Sequence, residues 1–283
     1  MVNDDQLKFF IASALQEDIG DGDYSTLSTI DKSAKGKAIL KVKENCIIAG
    51  MNIAKKILLF LDSAAIFHGF YNDGDEVKNG DIAFEVFANI HAILSAERLL
   101  LNCMQRMSGI ATLTNSYVQL LKGYKTQLLD TRKTTPNFRL LEKEAVKIAG
   151  GVNHRFGLYD MIMLKDNHID YAGGIENAIN NAVNYLKVNN LNLKIEVEAR
   201  DVNDVHLIMK TGKINRILLD NFTPELIKEA LLLIDHQFET EASGGINIDN
   251  IRDFAATGVD YISSGAIIHQ AQSVDLSLKA ELN

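Results

Sequence analysis

From residue 126 onward the chain alternates short apolar runs with amphipathic stretches, and that alternation limits the fold more than any other feature. The runs are Gln127 to Leu129, Met161 to Leu164, Leu193 to Val197, Arg216 to Leu219, Gln237 to Glu241 and Asp260 to Ile262. Between them, Phe138 to Ala149, Gly174 to Lys187, Val202 to Lys210, Pro224 to Ile234 and Ile248 to Ala256 space their apolar residues as helices do. Parallel strands need a crossover, usually a helix, so this order predicts a parallel sheet. The last three runs begin about 22 residues apart, a short βα repeat that suits a barrel better than an open doubly wound sheet.

The first hundred residues read differently. Asp4 to Asp18 and Met51 to Leu61 have helical periodicity, whereas Lys37 to Lys43, Ala64 to Phe70 and Ile82 to Ala88 read as strands. Ala92 to Leu121 is a long helical region with an expected break at Ser108-Gly109. The division this suggests is an N-terminal α/β domain over residues 1–108 and a barrel domain over 109–269. The amphipathic tail, 270–283, is expected to pack back on the first domain.

Charge narrows the partners. The net charge is −8, which argues against nonspecific nucleic-acid binding, since that needs a basic surface. No apolar stretch approaches the length of a membrane span, and Met1 to Phe10 lacks the apolar core of a signal peptide. Cys46 and Cys103 are lone cysteines without metal-ligand spacing, which fits a reducing, cytoplasmic compartment.

The candidate chemistry lies at the strand ends. After Leu129 comes Asp130-Thr131-Arg132-Lys133, and after Leu164 comes Lys165-Asp166-Asn167-His168. Later strands end at Glu198, Asp220-Asn221, Ser243-Gly244-Gly245 and Ser263-Ser264-Gly265. In a parallel barrel these positions share the face that carries active sites. Glycines let a backbone approach a phosphate closely, and barrels often bind phosphate with their last loops. Arg132, Lys133, Arg139, His154, Arg155 and Lys165 concentrate positive charge in an otherwise acidic chain. They predict a strongly anionic ligand bearing carboxylates and phosphates. Glu198 and Asp220 in such a site suggest Mg²⁺ or hydrogen bonds to ribose hydroxyls.

Taken in order, these segments resemble the quinolinate phosphoribosyltransferase family. The resemblance rests on Thr131-Arg132-Lys133-Thr134-Thr135-Pro136, on Gly150 to Asp160, and on Leu164-Lys165-Asp166-Asn167-His168. It continues through Glu196-Val197-Glu198, Leu218 to Phe222, Ser243-Gly244-Gly245-Ile246 and Ser264-Gly265-Ala266. Ala149, Glu144, Ile268 and Gln270 depart from the family's usual residues. The resemblance implies an N-terminal α/β sandwich plus an incomplete seven-stranded, TIM-like α/β barrel. It implies a homodimer, or a hexamer of dimers, with sites completed by the neighbouring subunit. The implied reaction takes quinolinate and phosphoribosyl pyrophosphate to nicotinate mononucleotide, pyrophosphate and CO₂ with Mg²⁺, a step of NAD synthesis.

The same resemblance implies residue roles. Arg132, His154, Arg155 and Lys165, with Arg98 from the partner, would hold quinolinate. Lys133 would contact phosphoribosyl pyrophosphate. Glu198 and Asp220 would hold the ribose hydroxyls and the metal, the latter directly or through water. Ser243, Gly244, Ser264 and Gly265 would bind the 5′-phosphate, with His269 nearby. Three alternatives stay open: a related phosphoribosyltransferase with another acceptor, a barrel aldolase using Lys133 or Lys165 as a Schiff base, and a noncatalytic sensor of pyridine metabolites.

Overall fold

The structure, a computed structural model, describes residues 4–281. The start of the Met1 to Phe10 segment and the last residues of the C-terminal tail lie outside these. In chain order the first elements are α1 (Asp4–Ile19), α2 (Tyr24–Thr29), β1 (Lys35–Val42), β2 (Cys46–Ile47), α3 (Met51–Leu61), β3 (Ile66–Gly69), β4 (Glu76–Val77), β5 (Ile82–Asn89) and α4 (Ile90–Leu120). There follow β6 (Gln127–Leu129), α5 (Arg139–Ile148), β7 (Ile162–Leu164), α6 (Asp166–Ala172), α7 (Ile175–Val188), β8 (Ile195–Ala199), α8 (Val202–Thr211), β9 (Arg216–Asp220) and α9 (Pro224–Ile234). The chain ends with β10 (Glu239–Ser243), α10 (Ile251–Ala255), β11 (Tyr261–Ser263), α11 (Ala266–His269) and β12 (Leu276–Glu281). They form two compact units, Met1–Asn115 with Thr134–Gly150 and Ile267–Asn283, and Ser116–Lys133 with Gly151–Ala266.

The first unit holds a four-stranded antiparallel sheet in the order β12-β1-β5-β3. Its register puts Leu40 between Leu278 and Phe84, all three buried. Alternate residues of a strand share a face, so Ala38, Leu40 and Val42 of β1 line one side together. The tail is therefore a strand along β1, and its alternating Leu276 and Leu278 are the buried face.

One expectation fails in α4. No break occurs at Ser108-Gly109, because the helix runs unbroken for 31 residues. The two compact units divide further along the same helix, at 115/116. Gly109 is there for packing: a Cβ at this position would lie 1.9 Å from the Gln272 carbonyl oxygen. Ser108 is fully buried, and its Oγ accepts the Ala49 N–H at 2.9 Å. Beside it Arg106 donates to the carbonyls of Ala271 (2.6 Å) and Ile268 (2.8 Å) and to buried Glu142 (3.0 Å). Glu142 also accepts the Thr135 N–H at 2.8 Å, so one buried ion pair fixes the start of α5 and the turn after α11.

The second unit is a parallel sheet in the order β6-β11-β10-β9-β8-β7. It has six strands where seven were expected. At the seventh position a single bridge pairs Val152 with Leu129. The ladder stops there because the His154 N–H turns to the Asp130 carboxylate at 2.8 Å instead of to a strand carbonyl. All of β8 is buried, as a strand of a parallel sheet is when both faces are covered. Side chains cap the connecting helices: Asp201 accepts the Asp204 N–H for α8, and Thr223 precedes Pro224 in α9. Such caps are worth about 1 kcal/mol each. Among the described residues no helix is long and apolar enough to cross a membrane.

Candidate active site

The register of β8, β9 and β10 brings Glu198, Asp220 and Ser243 to their C-terminal ends. Ser243 pairs with Asp220, and its Oγ donates to Asp220 Oδ1 at 2.6 Å. Asn221 Nδ2 donates to the other oxygen at 2.7 Å. Gly244 (φ +95°) is confined between these loops: a Cβ would lie 2.1 Å from Asn221 Oδ1. Ser264 is buried, and its hydroxyl donates to the Ile246 carbonyl at 3.0 Å, which joins the two glycine loops. The helices after these loops are short, α10 with five residues and α11 with four, so any anion site here is built from loop backbone.

Cations crowd the ends of β6 and β7. The exposed Lys165 follows β7 and reaches the buried Glu198 carboxylate at 3.1 Å, while the Asp166 N–H approaches the second oxygen at 3.3 Å. Arg155 is half-buried and donates to the Met161 carbonyl at 3.3 Å. Burial, and next the charge of neighbouring Arg132, lowers its proton affinity below that of an ordinary arginine. Two guanidiniums close enough to oppose each other's charge make a site for an anion. Lys133 is exposed and makes no ion pair among the described residues.

His154 sits differently. Its side chain is only 5% exposed, with Nε2 at 3.2 Å from Glu196 and 3.3 Å from Glu241. Arg216 Nη1 lies 2.9 Å from Glu241 and 3.8 Å from Glu196, so a guanidinium already supplies the charge a metal ion would bring to these three ligand-type groups. Burial disfavours a charged imidazole here, but the two carboxylates beside Nε2 outweigh it and raise His154 to about 9. Against this, Nδ1 accepts the Arg155 N–H at 2.7 Å, which requires a bare Nδ1. That N–H direction is fixed by the backbone, so we read the ring as neutral and Nε2-protonated. Burial and the Glu241 charge push the Glu196 carboxyl up to about 7. Arg98 and His269 belong to the other compact unit, both exposed, on α4 and at the end of α11.

Two family models match nearly end to end. Residues 23–108 match the N-terminal domain of quinolinate phosphoribosyl transferase, and residues 110–279 match its C-terminal domain. The chain belongs to the quinolinate phosphoribosyltransferase family. A tobacco relative named quinolinate phosphoribosyltransferase [decarboxylating] 1b is 41% identical, with 97% of this chain and 82% of that protein covered. A Bacillus subtilis protein named probable nicotinate-nucleotide pyrophosphorylase [carboxylating] is 38% identical over 98% of this chain and 94% of its own. The crystal structure of NadC from Streptococcus pyogenes superposes with a TM-score of 0.92 at 36% identity, covering 99% of both chains.

Two of the departures in this quinolinate phosphoribosyltransferase family member are buried packing positions. Ala149 closes α5 as a buried C-cap, and Ile268 is fully buried. What the sequence reading missed is the interior set of Glu196, Arg216 and Glu241 below the rim. A signal was present: the polar residues of β8, β9 and β10 (Glu196 and Glu198, Arg216 and Asp220, Glu239, Glu241 and Ser243) are two or four apart, which puts those of each strand on one face.

Proposed function

We propose that this protein transfers the phosphoribosyl group of phosphoribosyl pyrophosphate to quinolinate and releases CO₂, giving nicotinate mononucleotide for NAD synthesis. The observation that carries the reading is the closeness of Arg132 to half-buried Arg155, in a unit whose other strand ends present Lys165, carboxylates and glycine loops. A dicarboxylate satisfies opposed guanidiniums and an ammonium, whereas a monoacid leaves one unpaired. Arg132, Arg155 and Lys165 hold the acceptor, with Arg98 supplied by the partner subunit of a homodimer. Lys133 contacts the diphosphate, and Ser243, Gly244, Ser264 and Gly265, with His269, serve the 5′-phosphate.

The ring nitrogen attacks C1 of the ribose and pyrophosphate departs with the C–O bonding pair. The C2 carboxylate then leaves as CO₂, its bonding pair stays on C2 beside the cationic nitrogen, and a proton replaces it. The substrate is its own electron sink. Glu198 and Asp220 hold the ribose hydroxyls as positive charge grows on C1. Their carboxylate oxygens fit Mg²⁺ held by one or two carboxylates plus substrate phosphates, the usual arrangement for that ion. When bound, it would stabilise the leaving diphosphate. The cytoplasm is the compartment that suits two buried, free thiols.

The test is purified protein with quinolinate, phosphoribosyl pyrophosphate and Mg²⁺, following nicotinate mononucleotide. Turnover is expected to need all three. With nicotinate as acceptor, kcat/KM is expected to fall by about 100-fold, less than the ~3–5 kcal/mol of a fully buried unpaired charge because Arg132 is exposed. Equal use of both acceptors overturns the assignment.

A further inference from the structure

Outside the glycine loops, the groups assigned above to phosphoribosyl pyrophosphate are Lys133 and His269, far apart in the chain. Both segments lead back to one guanidinium on α4. Residues Ile268 to Ala271 form a turn closed by the Ala271 N–H on the Ile268 carbonyl at 3.2 Å. Arg106 grips both ends of it, with Nη1 donating to the Ala271 carbonyl at 2.6 Å and Nη2 to the Ile268 carbonyl at 2.8 Å. His269 is therefore exposed on a turn held at each end. Nε of the same guanidinium donates to Oε1 of fully buried Glu142 at 3.0 Å. That carboxylate also accepts the Thr135 N–H at 2.8 Å on Oε2 and the Thr135 hydroxyl at 3.0 Å on Oε1. Thr135 follows Lys133 by two residues, and Pro136 after it disfavours helical backbone there. The Thr134 hydroxyl between them accepts Arg139 Nε at 2.9 Å.

We propose that Arg106 is a positioning residue for the phosphoribosyl donor: its guanidinium clamps the Ile268–Ala271 turn that presents His269 and, through Glu142, the Thr135 end of the loop that presents Lys133. The inference rests on the quinolinate reading above, which gives Lys133 and His269 their ligand. The physical argument is one of direction. A guanidinium is planar and offers its donors in a fixed fork, so seating Nε on a carboxylate aims the remaining donors at fixed points. Those points are the two carbonyls that bound the His269 turn. Shifting either segment by about an ångström would break charge-assisted bonds around a carboxylate closed to water, where such bonds are hardest to replace. A cation that only neutralised Glu142 would need neither carbonyl. Lysine could supply that neutralisation, because it is a point charge, but it could not reproduce the fork.

Steady-state kinetics on the full-length protein test this. Arg106→Lys keeps a positive charge beside Glu142 and gives up the fork. It is expected to raise the phosphoribosyl pyrophosphate KM by roughly 10- to 100-fold, the scale of a small misplacement of binding groups. The quinolinate KM should stay within about three-fold of wild type. A double variant gives a second readout. If the clamp acts through His269, adding His269→Ala to Arg106→Lys should raise the donor KM by no more than about two-fold, less than His269→Ala does in the wild-type background. Three results overturn the proposal. A folded Arg106→Lys protein with the wild-type donor KM means that Arg106 only neutralises Glu142. Equal losses for both substrates mean general loosening, and losses that multiply in the double variant mean that Arg106 does not act through His269. If Arg106→Lys does not fold, Thr135→Val decides, since it keeps the shape and deletes only the hydroxyl bond to Glu142. Its donor KM is expected to rise by roughly 3- to 10-fold with the quinolinate KM unchanged, and wild-type values for both overturn the clamp. Wild-type protein that never turns over quinolinate would instead sink the functional reading itself.

Discussion

A carboxylate that already accepts two hydrogen bonds from neutral donors is held in place without being discharged. Asp220 is in that position, with the Ser243 hydroxyl on one oxygen and the Asn221 amide on the other. Its direction is set by two loops that Gly244 allows to meet. Asp220→Asn keeps the shape but removes the charge, and sets its new amide against one of two donors. Losing a charge-assisted hydrogen bond costs about 1.5–3 kcal/mol, so the phosphoribosyl pyrophosphate KM should rise by roughly 10- to 100-fold. The quinolinate Kd should stay within about three-fold, since its cations lie elsewhere. Separate titrations with the two substrates check this, and a larger loss for quinolinate would place Asp220 outside the ribose site. At this scale the sequence was legible in placing Lys165, Glu198 and Asp220 at strand ends, because each follows an apolar residue that closes a run. The direction of the His154 ring was not legible. It depends on which residues of β8 and β10 lie opposite a turn far away in sequence, and only the sheet register determines that.

Elements were read best where periodicity was strong and uncontested. Met51–Leu61 and Pro224–Ile234 match their expected spans residue for residue. The expected strands from Gln127 onward all occur, shifted by two residues at most. The reading failed at Ser108-Gly109, where local propensity was taken to end a helix that tertiary packing continues. Gly109→Ala separates those two influences. In an exposed helix the change would stabilise by about 1 kcal/mol. Here the new methyl meets the Gln272 backbone at 1.9 Å, and a carbonyl in a chain pinned by Val274 N–H to Gln105 and by Gln105 to Leu276 has little room to yield. Overpacking of that kind costs about 1–3 kcal/mol, so Tm should fall by roughly 2–10 °C. Circular-dichroism melting measures it. A rise in Tm would mean that the tail does not press on α4 as described. The shortened seventh strand is the complementary case, since no local signal at Gly150-Gly151 reports that a buried Asp130 will capture the next N–H.

For the whole molecule the open question is whether one chain completes a site. Arg98 stands exposed on α4, and among the described residues it has no ion-pair partner. The simplest intrachain role, a bridge to Glu97 or Glu85, is not made among the described residues, and Glu85 pairs with Lys37 at 2.7 Å. An exposed arginine of this kind would matter to stability by at most about 1 kcal/mol, so Arg98→Ala would keep its activity if the residue served only its own chain. Service to a partner's site predicts near-complete loss instead. Lys165→Ala should be equally inactive, since it removes the ammonium that sits on Glu198. The two lesions then differ in where they fall. In a symmetric dimer with reciprocal contacts, a heterodimer of the two variants gathers both lesions in one site and leaves the other intact. Co-expression with random pairing makes half the dimers mixed, and each mixed dimer keeps one of two sites, so activity should return to about one quarter of wild type. The measurement is turnover of the co-expressed preparation, with heterodimers verified by differently tagged chains. Activity no higher than that of either parent would show that Arg98 does not act across an interface, and would confine the acceptor site to Arg132, Arg155 and Lys165 of a single chain.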